Sequence, residues 1–346
     1  MNDKTIPATM RALELRAVDG RPESLALVER PVPRLAKNKV LVRIGAASVN
    51  PSDLMFLQGL YGQKKKLPVV PGFEGAGEVV ASGDGSGMLA RALVGRRVAC
   101  AAPHDGDGTW AEYMVADASQ CIPLIKEVSI EQGAAMIVNP FSAYALMKNV
   151  RYGLDRAVAQ TAAASALGQM INRLALSRNI PLVNIVRRAE QVELLRQAGA
   201  THVLNSSEPD FDERLKDLCR SLRVTLAFDA VAGELTGQLL RAMPNGARVI
   251  VYGALSMGAC MIDPRGLIFE RKRVEGFWLA EWMRAQNLLS KLVASRRVQK
   301  LLASDLQTEI RARLPLEDAA RGLHDYAGHM TGGKILLVPA MHKERG

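Results

Sequence analysis

The chain is poor in aromatic residues, at 5%, and has only five histidines and four cysteines in 346 residues. Cys100, Cys121, Cys219 and Cys260 stand far apart, without the paired spacing of a zinc cluster or a disulfide framework. They read as small buried hydrophobes. No apolar run reaches membrane-spanning length before an Arg, Asn or Gly breaks it, so no bilayer span is expected. The opening "MNDKTIPATMRALELRAVDG" lacks a signal-type apolar core, which points to a cytoplasmic location. Net charge is +10, yet the basic residues are scattered, as in "GQKKKLP" and "FERKRVE". Without a basic stripe interleaved with aromatics, nucleic acid is not an expected partner.

What is present divides the chain by pattern. Residues 10–120 are rich in Val, Gly and Pro, with short alternating runs such as "KVLVRIGAASV", "GAGEVVASG" and "WAEYMVA". These read as strands of an irregular, barrel-like β domain. From about Ser129, strand-length and helix-length units alternate: "AVAQTA", "LVNIVRR", "THVLN", "VTLAFDAV" and "ARVIVYG", separated by segments with apolar residues at helical spacing. Repeated βα units imply a doubly wound parallel sheet, an α/β Rossmann fold. The expected organisation is a β-rich domain over 1–128, a nucleotide-binding domain over 129–280, and a long helix plus a returning strand, "GGKILLVP", over 281–346. At that length two domains are the default.

The first βα turn of the second domain, "QTAAASALGQM", is short of glycine. Of the usual three glycines only Gly168 remains, with Ala163 and Ser165 where the others would be. Gly168 suits close helix–strand packing; Ser165 adds a hydroxyl donor for phosphate. Such a turn is also compatible with an unliganded sheet. At the end of the next strand, where NAD-binding folds usually place an acidic residue on the ribose, the sequence reads "NIVRRAEQ". Arg187 and Arg188 there suit a 2′-phosphate, hence NADPH; Glu190 keeps NADH from being excluded.

Several ordered segments resemble the medium-chain dehydrogenase/reductase superfamily: "VLVRIGAASVNPSD", "LPVVPGFEGAGEVV", "GTWAEYMVA", "QGAAMIVNPFSAYALM", the nucleotide loop, "FDAVAG" and "GGKILLV". The resemblance implies a GroES-like catalytic domain beside a Rossmann domain, and a homodimer joined through Rossmann edge strands, here near "RVEGFWLAEW". Within the superfamily the chain is similar to the zinc-free quinone oxidoreductases. Phe73 stands where zinc-dependent relatives carry a histidine, and no Cys lies near Asn50, so no metal is expected. "NPSDLMFLQGLYG" and "AQTAAASALGQ" also resemble 2-enoyl thioester reductases.

The resemblance implies hydride transfer from NADPH to a quinone or an α,β-unsaturated carbonyl. Tyr61 and Asn50 are the candidate catalytic residues; a loop tyrosine and a turn-forming asparagine are the plainer readings. Cofactor contacts are expected at Asn139, Ser142, Ala164, Ser165, Ala166, Leu167, Arg187, Arg188, Tyr252 and Gly253. A specific 2-enoyl thioester reductase and a catalytically idle NADPH-binding regulatory protein are the alternatives.

Overall fold

The computed structural model describes residues 6–304, 306–328 and 331–340. Two compact units divide the chain: Met1–Pro140 with Ser295–Gly346, and Phe141–Ala294. The division falls later than 128/129 and 280/281. The short helix Ile130–Ala134 packs on strands of the first unit, and the helix Leu288–Leu302 runs across the second division.

The first unit begins with an antiparallel hairpin, β1 (Thr9–Leu15) and β2 (Leu25–Pro31). There follow β3 (Lys39–Ser48), β4 (Glu74–Ser82), β5 (Arg97–Ala101), β6 (Tyr113–Asp117) and β7 (Cys121–Pro123). The second unit contributes β8 (Ala157–Gln160), β9 (Leu182–Val186), β10 (His202–Asn205), β11 (Val224–Asp229), β12 (Arg248–Val251) and β13 (Arg273–Gly276). The chain then returns to the first unit with β14 (Ile310–Leu314) and β15 (Lys334–Leu337).

In the first unit the sheet order is β14-β15-β3-β4-β5-β7, with β6 also paired to β3. Its core gathers the alternate residues of β3, Val40, Val42 and Ile44, with Trp110, Met114, Ile335 and Leu337. Cys100 and Cys121 face each other across β5 and β7 as buried thiols. Burial pushes the Cys100 thiol well up and that of Cys121 up to about 12, so neither is a ready nucleophile.

The second unit is a six-stranded parallel sheet in the order β10-β9-β8-β11-β12-β13. β8 and β9 are buried along their whole length, so they read as mostly apolar runs rather than alternating ones, broken only by the buried Gln160 and Asn184. The helices Ala166–Ser177, Ala189–Gln197, Phe211–Leu222 and Glu234–Ala242 follow β8 to β11 in turn. β10 and β13 are the sheet's edges, and β13 is mostly exposed. Phe277 and Trp278 of "RVEGFWLAEW" follow it, Phe277 donating its N–H to the Val251 carbonyl (2.8 Å) and Trp278 capping the helix Leu279–Ala285, where Arg284 sits over its ring. No helix among the described residues is long and apolar enough to cross a membrane.

The returning β15 brings a lysine into the first unit's interior. Lys334 is 1% exposed, and its ammonium donates to the Val49 carbonyl (3.1 Å) and to Asn50 Oδ1. Burial pushes Lys334 below its ordinary value, while the charges of Glu74 and Asp53 oppose that shift. Removing one partner of a buried ion cluster leaves an uncompensated charge and costs about 3–5 kcal/mol. Lys334→Ala is therefore expected to lower the urea midpoint substantially, and Lys334→Arg to lower it less. An alanine variant as stable as the parent would show that Glu74 needs no counter-charge.

Candidate active site and nucleotide loop

The parallel sheet changes direction of growth between β8 and β11: β9 and β10 lie on one side, β12 and β13 on the other. In open α/β sheets, ligands bind beyond the carboxyl ends of the strands at such a point. Here the expected cofactor residues of the second unit cluster in sequence just past strand ends. Ala164, Ser165, Ala166 and Leu167 follow β8, Arg187 and Arg188 follow β9, and Tyr252 and Gly253 follow β12.

The loop after β8 makes its turn without glycine. Ala162 has φ +49°, in the left-handed region that costs a side-chain-bearing residue about 1–2 kcal/mol. The turn therefore falls at Ala162, one residue before Ala163. Ala163 and Ala164 are buried, and the Ala163 N–H donates to the Ile185 carbonyl (3.1 Å), fastening the loop to β9. Ser165 is the N-cap of Ala166–Ser177; its Oγ accepts from the Gly168 N–H at 3.1 Å. That bond uses the oxygen's lone pair and leaves the hydroxyl proton to donate. Ala166 and Leu167 begin the helix, so their N–H groups have no helical carbonyl to bond. A Cβ on Gly168 would stand 2.5 Å from the Ala163 carbonyl oxygen, which is the close packing that glycine permits there.

Two polar sets brace this loop. Gln160, fully buried at the end of β8, donates to the Gly168 carbonyl (2.9 Å) and to Asn184 Oδ1 (2.7 Å) on β9. Asn184 in turn donates to Asn172 Oδ1 at 3.2 Å. On the other side, buried Asp229 accepts from Thr161 Oγ1 (2.7 Å), Thr236 Oγ1 (2.6 Å) and the Val231 N–H (2.9 Å). Asp229 stands in the "FDAVAG" segment, but nothing in the sequence pattern singled out its role.

Arg187 is exposed; Arg188 is partly buried, and its Nε lies 2.8 Å from Glu190 Oε1. The Gln191 side chain accepts from both arginine N–H groups at 3.2 Å, closing the turn into the helix Ala189–Gln197. Gly253 lies so near β11 that a Cβ would stand 2.7 Å from the Ala230 carbonyl oxygen. The Tyr252 hydroxyl is buried without a hydrogen-bond partner among the described residues, and burial pushes its pKa up. Asn139 and Ser142 lie one turn apart in the helix Val138–Met147, 7% and 6% exposed.

In the first unit, Asn50 belongs to an internal polar cluster. It is fully buried, and as the N-cap of Pro51–Leu57 it spends its amide internally: Nδ2 donates to Ser48 Oγ and Glu74 Oε1, both at 3.0 Å, and Oδ1 accepts from Lys334. Both amide hydrogens are thus committed within the protein, while Oδ1 keeps one lone pair beyond the bond from Lys334. Glu74 is equally committed. Its Oε1 accepts from Ser48 Oγ (2.6 Å), and Oε2 accepts from the Ile137 and Val138 N–H groups, each at 2.8 Å.

Tyr61 follows Pro51–Leu57 in a half-buried loop. Its ring packs 4.7 Å from Phe73, which also meets Phe56 edge-on at 5.6 Å. Phe73 offers no donor atom to a zinc ion, and Asn50, Asp53 and Glu74 beside it are already spent on internal hydrogen bonds. Among the described residues no three His, Cys, Asp or Glu side chains gather, so the donor set does not fit a zinc site. His104 is exposed beside Asp105.

A GroES-like β domain and a nucleotide-binding α/β domain with its loop at the switch point define an oxidoreductase of the alcohol dehydrogenase type. Residues 36–126 match the alcohol dehydrogenase GroES-like domain family, and residues 166–295 match the family described as zinc-binding dehydrogenase. The chain is 30% identical over 322 residues to the mitochondrial enoyl-[acyl-carrier-protein] reductase of Xenopus tropicalis, covering 88% of each chain. A putative NADPH:quinone reductase from Mesorhizobium loti superposes with a TM-score of 0.90 at 38% identity, covering 97% of this chain and all of that one. A mycobacterial protein solved in complex with NADPH superposes with a TM-score of 0.81 at 26% identity, over 95% of this chain and 100% of that one. The chain belongs to the medium-chain dehydrogenase/reductase superfamily.

Asp53 sets a pH dependence in the first unit. It is buried, accepting from the Asn50 N–H (2.8 Å) and the Phe73 N–H (3.0 Å). Burial raises its pKa to about 7, against the pull of those bonds and of Lys334. Between the ordinary value of 3.8 and about 7, the folded state holds a proton that the unfolded state releases, so this group's contribution to stability falls as pH rises. Asp53→Asn does not titrate. Its destabilisation relative to the parent, from urea midpoints, is expected to be smaller near about pH 7.5 than near about pH 5. An equal destabilisation at the two pH values would mean that Asp53 is already ionised at the lower one.

Proposed function

We propose that this chain is an NADPH-dependent, zinc-independent reductase that delivers hydride to a quinone or an α,β-unsaturated carbonyl. The observation that carries the reading is the placement of Arg187 and Arg188 at the carboxyl end of β9, the strand to which the loop after β8 is fastened through Ala163. The first-turn N–H groups of Ala166 and Leu167 and the Ser165 hydroxyl suit a diphosphate, and the arginines suit a 2′-phosphate. The relatives support the cofactor: the mycobacterial structure contains NADPH, and the Mesorhizobium loti protein is described as a putative NADPH:quinone reductase.

When bound, the reduced nicotinamide supplies hydride. As hydride reaches the acceptor, electron density moves onto a carbonyl oxygen, and the chain must stabilise it there. Tyr61 carries a hydroxyl able to donate to that oxygen, on a ring supported by Phe73. With Phe73 in place of a metal ligand, no Lewis acid is invoked at the carbonyl. A 2-enoyl thioester as acceptor is the second reading, favoured by the 30% identity to an enoyl-[acyl-carrier-protein] reductase.

Turnover of NADPH with a panel of quinones, enones and 2-enoyl thioesters separates these readings, and binding without turnover of any acceptor would support an idle NADPH-binding protein instead. Tyr61→Phe is expected to lower kcat by about 10²-fold, the scale of one lost oxyanion donor, with NADPH affinity unchanged. Replacing Arg187 and Arg188 together with alanine is expected to weaken NADPH about tenfold or more and NADH little, because each charge-assisted contact is worth about 1.5–3 kcal/mol. Equal affinity for both cofactors in the parent, unmoved by the double replacement, would withdraw the NADPH assignment.

We also infer a homodimer formed by antiparallel pairing of β13 with its copy, since an exposed edge strand offers unpaired backbone groups. Exposed Ile268 and Phe269, shortly before β13 in sequence, would add apolar area. Light scattering is expected to give twice the chain mass, and Val274→Pro to give a monomer; a monomeric parent at micromolar concentration would overturn the assignment.

A further inference from the structure

The two arginines beyond β9 are not equivalent. Arg187 is exposed and forms no ion pair among the described residues, whereas Arg188 is held by Glu190 at 2.8 Å. The pair is anchored at its base, not only at its tips. Both arginine N–H groups donate to Gln191 Oε1, the Arg187 carbonyl accepts from Ser207 Oγ (2.9 Å), and the Val186 carbonyl accepts from the Ser206 N–H (2.7 Å). The backbone is thus fixed, while the Arg188 and Glu190 side chains are 40% and 69% exposed and able to re-pair.

A carboxylate paired with one of two guanidiniums has a definite consequence for an arriving phosphate. The 2′-phosphate must either displace Glu190 from Arg188 or bind with an anionic neighbour at close range, and both lower its affinity. A ribose 2′-hydroxyl meets no such penalty, and a carboxylate can accept a hydrogen bond from it. We propose that Glu190 is the specificity-determining residue of this end of β9. By pairing with Arg188 it tempers the preference for NADPH, leaves the 2′-phosphate chiefly to Arg187, and keeps the site open to NADH. This rests on the reading that the arginines meet the 2′ position of the cofactor.

Glu190 lies in the first turn of the helix Ala189–Gln197, is exposed, and supports no buried contact, so Glu190→Gln keeps the fold. Dissociation constants for NADPH and NADH, measured by quenching of protein fluorescence at low ionic strength, test the proposal in the parent and in Glu190→Gln, Arg187→Ala, Arg188→Ala and the Glu190→Gln/Arg188→Ala double variant. Exposed ion pairs are worth at most about 1 kcal/mol, or roughly fivefold. Glu190→Gln is accordingly expected to raise the NADPH-over-NADH affinity ratio about three- to fivefold. Arg187→Ala should lower that ratio more than Arg188→Ala, and the gain from Glu190→Gln should shrink when Arg188 is already alanine. If the arginine variants lower the ratio but Glu190→Gln leaves it within about twofold of the parent, the role of Glu190 is refuted while the NADPH reading stands. If neither arginine variant moves the ratio, that reading falls, and this inference with it.

Discussion

The first unit is organised around one buried carboxylate. Glu74 lies at the start of β4, yet its two oxygens accept from β3, from the N-cap Asn50 and from two consecutive N–H groups at Ile137 and Val138. A charge so placed is tolerable only when every lone pair is used and a cation is near, and Lys334 supplies the cation. The cluster closes on itself through Asn50, which bonds both the acid and the base. This explains why an asparagine before a proline, which reads as an ordinary turn, is fully buried. It also explains why Phe73 is free to serve as an aromatic support: the polar work at this position is done by its neighbour.

In the second unit the constraint is different. A turn that glycine would make without strain is made by Ala162, and the strain is absorbed by bonds on both flanks. The Ala163 N–H is fastened to β9, and the preceding Thr161 is fastened to Asp229. Buried amides on Gln160, Asn184 and Asn172 hold the following helix against the sheet. Buried amides of this kind, with Gln160 Oε1 left without a hydrogen-bond partner among the described residues, give up some of the stability that apolar packing would provide, and in return they favour one arrangement of the loop. The glycine-poor loop thus keeps its turn braced by hydrogen bonds on both flanks.

Much of this was legible in the sequence. The strands from β8 to β12 and the helices between them stand where the alternation of apolar strand and periodic helix placed them, because each βα unit is specified locally. Gly168 was legible as a packing glycine for the same reason. What escaped depends on contacts between distant parts of the chain. Lys334 and Asn50 are 284 residues apart, and no local pattern distinguishes a lysine bound for the core from one bound for solvent. The place of Asn50 in that cluster was hidden on that account. The edge strand expected near "RVEGFWLAEW" is made by its four residues "RVEG", and the apolar Phe277 and Trp278 follow it. The Arg188–Glu190 pair was visible as two charges in "RRAEQ", but their side-chain geometry was not.

The returning strand has a consequence for the order in which the molecule is completed. Residues 141–294 form a continuous compact unit, so they can fold as they emerge during synthesis. The first unit, although it begins the chain, must wait for β14 and β15. Until Lys334 emerges, β3 lacks one of its neighbours and the acidic pair Glu74 and Asp53 lacks its buried cation. The part of the protein made first is therefore finished last, and through most of translation it persists as an open-edged, partly assembled sheet, the kind of intermediate that chaperones shield.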